Sequence, residues 1–331
     1  MSAESAKTVL LVLGGKSFRH SDSCRKLKSS LSAFEVQESQ PVGENPKIQF
    51  VEEFVESYRA LGIDAVVGIG GGSVIDVAKM AAKSFAQKRP KLIAVPTTSG
   101  TGSEVTPYVS LETREKKKIT VTDDAFFPDW AIVDPLLCES MPPFVTASTG
   151  MDALSQSIEA FWSVHHTPFS DAHALRSVSL VVPNIRRVVS APRDNEARFA
   201  MALGSCESGL AIAQTATTAV HAVSYPITTY FDVPHGHACA LTLAEFLRFN
   251  EGVMKEDRYA DLWKAMNVRS ALEAADAVEK MMNDIGLERR LSQLGVDMEV
   301  VIEHGFRPDR VKNNPRELTP EALRDMLRKI S

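Results

Sequence analysis

Asp152 and Gln156 stand four residues apart in a stretch of helical period, so both side chains project from one face of the expected helix. His221 lies on another helical stretch, and His235 follows the Val233-Pro234 turn in Pro-His-Gly-His. One carboxylate with two imidazoles is a reasonable donor set for a divalent ion, and the neutral amide of Gln156 is a weak fourth member. For His221 a buried imidazole that merely satisfies its hydrogen bonds is an equal reading, whereas a turn presents His235. His165-His166 reads as a solvated loop pair, and His237 either meets a substrate or caps a helix.

A second group of residues suits phosphate. Val66-Val67-Gly68-Ile69-Gly70-Gly71-Gly72-Ser73-Val74-Ile75-Asp76 runs from an apolar strand through three glycines into a helix. Glycines let the backbone approach a ligand, and a helix start offers unpaired N–H groups with partial positive charge, which together cradle a pyrophosphate. Position 73 is serine, so the usual G-x-G-x-x-G spacing is absent. Alone, the turn favours phosphate binding only modestly over a strand-to-helix connection without a ligand. Pro96-Thr97-Thr98-Ser99-Gly100-Thr101-Gly102-Ser103-Glu104-Val105-Thr106 again follows a strand and gathers hydroxyls and glycines. Two such loops after neighbouring parallel strands point to a dinucleotide, because ligands sit at the carboxyl ends of such strands.

The elements that must position these groups fall into two halves. Short apolar strands at residues 8–13, 64–69 and 92–96 alternate with helices at 25–34, 50–61 and 73–85, the pattern of a parallel sheet covered on both faces. After the Pro142-Pro143 pair the strand signal fades. Helices are expected at 150–162, 170–188, 195–219, 237–250, 259–266, 272–285 and 319–330, with Pro183 kinking or splitting the second. Thr319 as N-cap and Pro320 at the first helical position open the last one. The expected organisation is an α/β dinucleotide-binding domain over residues 1–145 and an all-α metal and substrate domain over 146–331, with a ligand cleft between them.

The 331 residues are 44% hydrophobic and 24% charged, a globular composition. A net charge of −5 gives no basic footprint and argues against nucleic acid. The apolar runs are too short to cross a bilayer, and the start of the chain lacks a signal-peptide core. Cys24, Cys138, Cys206 and Cys239 have no paired spacing. They read as buried free thiols of a cytoplasmic protein, which argues against a zinc site or a disulfide framework.

Five ordered motifs give the chain a resemblance to the group III, iron-containing alcohol dehydrogenases. They are Gly70 to Lys79, Pro96 to Thr106, Ile132-Val133-Asp134-Pro135, Gly150-Met151-Asp152-Ala153-Leu154 and Pro234-His235-Gly236. The resemblance covers nearly the whole chain. It implies a dehydroquinate synthase-like architecture and interconversion of alcohols and carbonyls with NAD(P)H. Gly72, Ser73, Thr97 and Thr98 would hold the phosphates, Asn45 the adenosine side and Lys118 the nicotinamide ribose. Gly15, Gly71, Asp76 and Ser103 complete the implied cofactor set. The implied metal positions, for iron or zinc, are Asp152, Gln156, His221 and His235, and the family often forms homo-oligomers.

Three departures from the family pattern stand out. Gln156 replaces a histidine. Tyr225 replaces a second histidine four residues after His221, and a tyrosine can relay a proton. The first strand ends in Leu13-Gly14-Gly15-Lys16-Ser17-Phe18-Arg19 without the acidic residue of NAD-preferring members, and Lys16 and Arg19 would accept a 2′-phosphate, favouring NADPH. Gly15-Lys16-Ser17-Phe18 and residues 152–163 look most like the phosphonoacetaldehyde reductase (hydroxyethylphosphonate dehydrogenase) branch. The expected reaction is therefore reduction of a small aldehyde, phosphonate-bearing in that branch, with Tyr225 and His237 as catalytic groups. Arg316 and His237 are the candidate partners of an anionic substrate. A dehydroquinate synthase-like lyase and a non-catalytic nucleotide-binding relative are the alternatives.

Overall fold

The computed structural model describes residues 7–15, 18–19, 21–85, 89–115, 117–306 and 308–331; Lys16, Ser17 and Lys116 lie outside them. The chain forms two compact units, Met1–Thr98 with Ser103–Ser140, and Ser99–Gly102 with Met141–Ser331.

The first unit is built on strands β1 (Thr8–Leu13), β2 (Glu35–Glu38), β3 (Ala65–Gly70), β4 (Lys91–Pro96) and β7 (Trp130–Ala131), paired in parallel in the order β2-β1-β3-β4-β7. The six residues of β1 are all buried, as a continuous apolar run requires. The pleat sorts them by face. Leu10 and Val12 join Phe54 of α2 (Ile48–Tyr58) and Val77 of α3 (Gly72–Ser84); Val9, Leu11 and Leu13 join Cys24 of α1 (Asp22–Ser30). Helices therefore cover both faces. Strands β5 (Tyr108–Glu112) and β6 (Lys118–Thr122) form a separate antiparallel pair.

The second unit surrounds α4 (Pro143–Trp162), which opens on the Pro142-Pro143 pair and is buried at every position from Gly150 to Trp162. It packs against α5 (Pro168–Ser190), α6 (Asn195–Thr215), α7 (Ala219–Phe231) and α8 (His235–Phe249). A helix buried all round is a core helix, and its polar residues need partners inside the protein. Helices α9 (Glu256–Met266), α10 (Ala271–Asp284), α11 (Met298–Gly305), α12 (Pro308–Val311) and α13 (Pro320–Lys329) complete the unit.

Two expectations change. Pro183 does not split its helix: α5 is continuous through it, because packing on α4 and α6 outweighs one lost backbone hydrogen bond. The expected helix 195–219 ends at Thr215, because Ala216 adopts φ 55 and starts a turn into α7. No described helix is long and apolar enough to cross a membrane.

Candidate active site

Residues of the first unit that the resemblance assigns to the cofactor gather at the carboxyl edge of its sheet. β3 ends at Gly70, Gly71 caps α3, and the helix begins at Gly72, one residue earlier than expected. A Cβ on Gly70 would lie 2.5 Å from Val74, so the turn admits only glycine without rearrangement. The Thr97 N–H donates to the Gly70 carbonyl at 2.9 Å, which extends the β3–β4 ladder and sets Thr98 against Gly71. The Asn45 N–H donates to Ser73 Oγ at 3.2 Å, with Asn45 itself at φ 47. Gly14 bridges to Val42, and Gly15 follows beside Pro41. The residues carried over as phosphate and adenosine contacts thus meet around one helix start.

Asp76 and Ser103 are turned inward. Asp76 accepts from the Ser103 hydroxyl at 2.7 Å and the Ser110 N–H at 2.8 Å. The buried Lys79 ammonium donates to Ser103 Oγ, the Thr106 carbonyl and the Tyr108 carbonyl at 3.0, 2.9 and 2.8 Å. This network ties α3 to the loop after β4, so these side chains position the cradle. Burial lowers Lys79 to about 8 and raises Glu104 beside it to about 6, each opposed by attraction between unlike charges. Lys118 opens β6 opposite Glu112.

At the amino-terminal strands the structure adds a carboxylate that the sequence reading did not use. The Arg19 guanidinium pairs with Glu38 of β2 and donates to the carbonyls of Ser39 and Gly14 at 2.8 and 3.5 Å. Lys28 pairs with the same Glu38. Arg19 is therefore engaged, and the group of three carries one net positive charge.

The second unit holds a buried donor cluster. Ligand atoms of Asp152 on α4, His221 on α7, and His235 and Cys239 on α8 all lie within 4.8 Å of one another. His235 and Cys239 stand four apart on α8, so one helix face presents both. The His221 Nδ1 bonds to Glu159, whose other oxygen accepts from the Thr218 N–H at 2.9 Å, the Thr218 hydroxyl at 2.8 Å and the His221 N–H at 3.2 Å. Glu159 is fully buried and seven residues after Asp152, on the same face of α4. It fixes the imidazole with Nε2 toward the cluster, the arrangement that outer carboxylates give to metal-bound histidines. That Nε2 is buried, makes no aligned hydrogen bond and lies 3.3 Å from Asp152 Oδ1. Burial alone would lower the His221 proton affinity; the facing Cys239 and the Glu159 and Asp152 carboxylates reverse this and hold it well above the usual value. Such a position favours positive charge, and the donors fit a divalent cation.

His235 is fixed from two sides. Ser224 spends its hydroxyl proton on the His221 carbonyl at 2.8 Å, so its oxygen is left to accept from His235 Nδ1 at 3.4 Å. The Tyr225 ring stacks on His235, with centroids 5.7 Å apart and an interplanar angle of 16°.

The structure brings three of the four sequence-chosen metal residues together and adds Cys239. Gln156 is buried one turn after Asp152 on α4: its amide donates to the Thr101 carbonyl at 3.4 Å, and its Oε1 lies 3.0 Å from the Ser208 hydroxyl, which is 2.7 Å from the Ser205 carbonyl. Cys239, expected only as a buried free thiol, is buried and lies among these donors, because it shares a face of α8 with His235 that the linear spacing of the cysteines does not reveal. The signals that could have found the missed residues were His235-x-x-x-Cys239 and the acidic Glu159 inside an apolar helix. His237 is fully buried, bonded through Nε2 to the Glu288 carbonyl at 2.8 Å, and burial lowers its proton affinity. It is not one of the four clustered donors. Arg316 donates to the Glu251 carbonyl at 2.7 Å and lies over the Phe249 ring. His166 pairs with Asp171 at 3.1 Å, whereas His165 is exposed.

A glycine-turn nucleotide fold joined in one chain to a helical unit with buried cation donors defines a class of metal-containing, nicotinamide-linked oxidoreductases. Residues 1–135 match the model of iron-containing alcohol dehydrogenase, and residues 146–331 match that of the C-terminal part of the Fe-containing alcohol dehydrogenase family. The chain belongs to the iron-containing alcohol dehydrogenase family, whose members are enzymes that use NAD(P) and a divalent metal. It is 34% identical over 277 residues to long-chain-alcohol dehydrogenase 1 of Geobacillus thermodenitrificans, covering 76% of this chain and 70% of that protein. It is 32% identical over 313 residues to phosphonoacetaldehyde reductase of Streptomyces viridochromogenes, covering 84% and 78%. The crystal structure of sulfoacetaldehyde reductase from Bifidobacterium kashiwanohense in complex with NAD+ superimposes with a TM-score of 0.91 at 33% identity, over 99% of this chain and 91% of that one. The expected family, α/β plus helical fold and oxidoreductase activity are all borne out.

Proposed function

We propose that this enzyme reduces a small aldehyde to its primary alcohol with NADPH, and that phosphonoacetaldehyde, giving 2-hydroxyethylphosphonate, is the foremost candidate. The observation that carries the reading is the buried convergence of Asp152, His221, His235 and Cys239 around a His221 Nε2 that has no aligned hydrogen bond. When bound, a divalent ion supplies Lewis-acid polarisation of a carbonyl, and the reduced nicotinamide supplies the hydride. The residues of this chain do the rest. Glu159 and Ser224 hold the two imidazoles in the tautomers that face the cluster. Tyr225, stacked on His235, offers a phenol as the proton source for the nascent alkoxide. Gly71, Gly72, Ser73, Thr97 and Thr98 bind the pyrophosphate at the start of α3.

The substrate class draws on two similar proteins named for phosphonoacetaldehyde and sulfoacetaldehyde, both short aldehydes that end in an anionic group. NADPH is favoured because Gly14 carries no carboxylate and Glu38 is neutralised by Arg19 and Lys28. The test is loss of reduced-nicotinamide absorbance with phosphonoacetaldehyde, sulfoacetaldehyde, propanal and butanal, using NADPH or NADH, with added iron or zinc. Turnover fastest with phosphonoacetaldehyde and NADPH is expected. No absorbance loss with any aldehyde and either metal overturns the reductase reading in favour of the lyase or the non-catalytic relative.

A further inference from the structure

The four clustered donors differ in kind from the set that sequence register supplies, and the difference bears on which ion this centre is made for. We propose that Cys239 is a thiolate ligand of the ion, in the place that Gln156 would fill by register, and that the Asp152–His221–His235–Cys239 centre is thereby selective for zinc or cobalt over iron.

Gln156 offers the weaker ligand. Only its Oε1 could ligate, and that is a neutral amide oxygen. It lies 3.0 Å from the Ser208 hydroxyl, which also stands 2.7 Å from the Ser205 carbonyl, while the amide nitrogen donates to the Thr101 carbonyl at 3.4 Å. The Cys239 sulfur, in contrast, is fully buried and lies with the Asp152, His221 and His235 donor atoms inside the 4.8 Å cluster. A tetrahedral ion bonded at about 2.0–2.3 Å would hold its donors roughly 3.3–3.8 Å apart, so side-chain closure of up to about 1.5 Å would seat it. His235 and Cys239 come from one rigid helix, four residues apart, which fixes their separation. Charge agrees as well. One carboxylate and one thiolate neutralise a divalent ion in a buried site, whereas a glutamine in place of the thiolate leaves one positive charge uncompensated. A thiolate is a soft ligand that suits zinc and cobalt, and carboxylate with two imidazoles completes a four-coordinate set. Asp152, His221, His235 and Cys239 would hold the ion, and the chemistry it would supply is Lewis-acid polarisation of a carbonyl.

The inference shares its site with the reductase reading but is tested without turnover. The chelator-treated protein is loaded with cobalt, and the near-ultraviolet thiolate-to-cobalt charge-transfer band is recorded beside the cobalt-to-protein ratio. The expected result is one cobalt per chain and a strong band that persists in the C24A/C138A/C206A variant, which leaves the cluster intact. In C239S the band is expected to vanish, and zinc affinity to fall by more than the roughly 10–100-fold that loss of an outer partner costs. Competition between zinc and ferrous iron should favour zinc in the native protein and lose that bias in C239S. A bound cobalt without the band, or a band lost from the triple variant, overturns the proposal even where aldehyde reduction persists. Should C239S fail to fold, the native and triple-variant spectra decide alone. No metal bound under any loading condition also overturns it.

Discussion

Glu159 is the residue on which the buried centre turns, because it alone fixes which nitrogen of His221 faces Asp152, His235 and Cys239. Replacing it by glutamine keeps the shape and removes the charge. E159Q is expected to lower metal affinity about 10–100-fold while the fold persists, read by competition with a chromophoric chelator. Unchanged affinity would show that the carboxylate does not organise the ligand. Glu104 makes a second prediction at this scale. Burial raises its carboxyl to about 6 from an ordinary 4.5, against its own backbone hydrogen bond and Lys79. A folded value above the unfolded one means that its favourable contribution is complete below pH 4.5 and is lost as pH rises through about 6. The amplitude is about 2 kcal/mol for this shift. The melting temperature of E104Q relative to the native protein should therefore climb between pH 4.5 and 6 and level off above it. A difference flat across that window refutes the assignment. Lys79, lowered to about 8, titrates outside the window.

Among elements, the approach of α8 to α4 decides whether a centre forms at all. A Cβ on Gly236 would lie 1.9 Å from the Ser148 carbonyl and 2.8 Å from the Asp152 Cβ. Gly236→Ala must push the first turn of α8 off α4 and carry His235 with it. Loss of bound metal and a stability cost of roughly 1–3 kcal/mol are expected, measured by metal content and denaturant titration. A variant that keeps both would show that the contact yields freely. The legibility of elements followed burial. Strands β1, β3 and β4 were readable as apolar runs, whereas the polar edge strand β2, Glu-Val-Gln-Glu, and the two-residue β7 carry no such signal. The end of α6 was not readable either. Thr217 and Thr218 follow in a sequence that permits helix, and the turn is held by Thr218 bonding to Glu159, 59 residues earlier in the chain.

For the whole molecule, nucleotide and metal are ligands of the folded state and should stabilise it by mass action. NADPH at about one hundred times its dissociation constant should add about 2.7 kcal/mol, and a chelator should lower the melting temperature of the metal-loaded protein. At equal concentration NADH should shift the melting temperature less than NADPH. Equal shifts would remove the 2′-phosphate preference and leave the family cofactor, NAD(P), in place. Neither measurement requires the substrate to be known.

The sequence by itself determined the family, the alternation of strand and helix in the first unit, the helical second unit and the cofactor turn from Gly70 to Ser73. These are local properties, written in apolar period, glycine placement and ordered motifs. Residue type and the family resemblance also singled out Asp152, His221 and His235, three of the four clustered donors. Only the tertiary structure decided what surrounds them. Glu38 faces Arg19 because β2 lies beside β1, and Glu159 faces His221 because α7 crosses α4. Cys239 meets Asp152 because α8 approaches α4 closely enough to exclude a side chain at Gly236. Those neighbours are tens of residues apart in the chain, and no local pattern records which of them will touch.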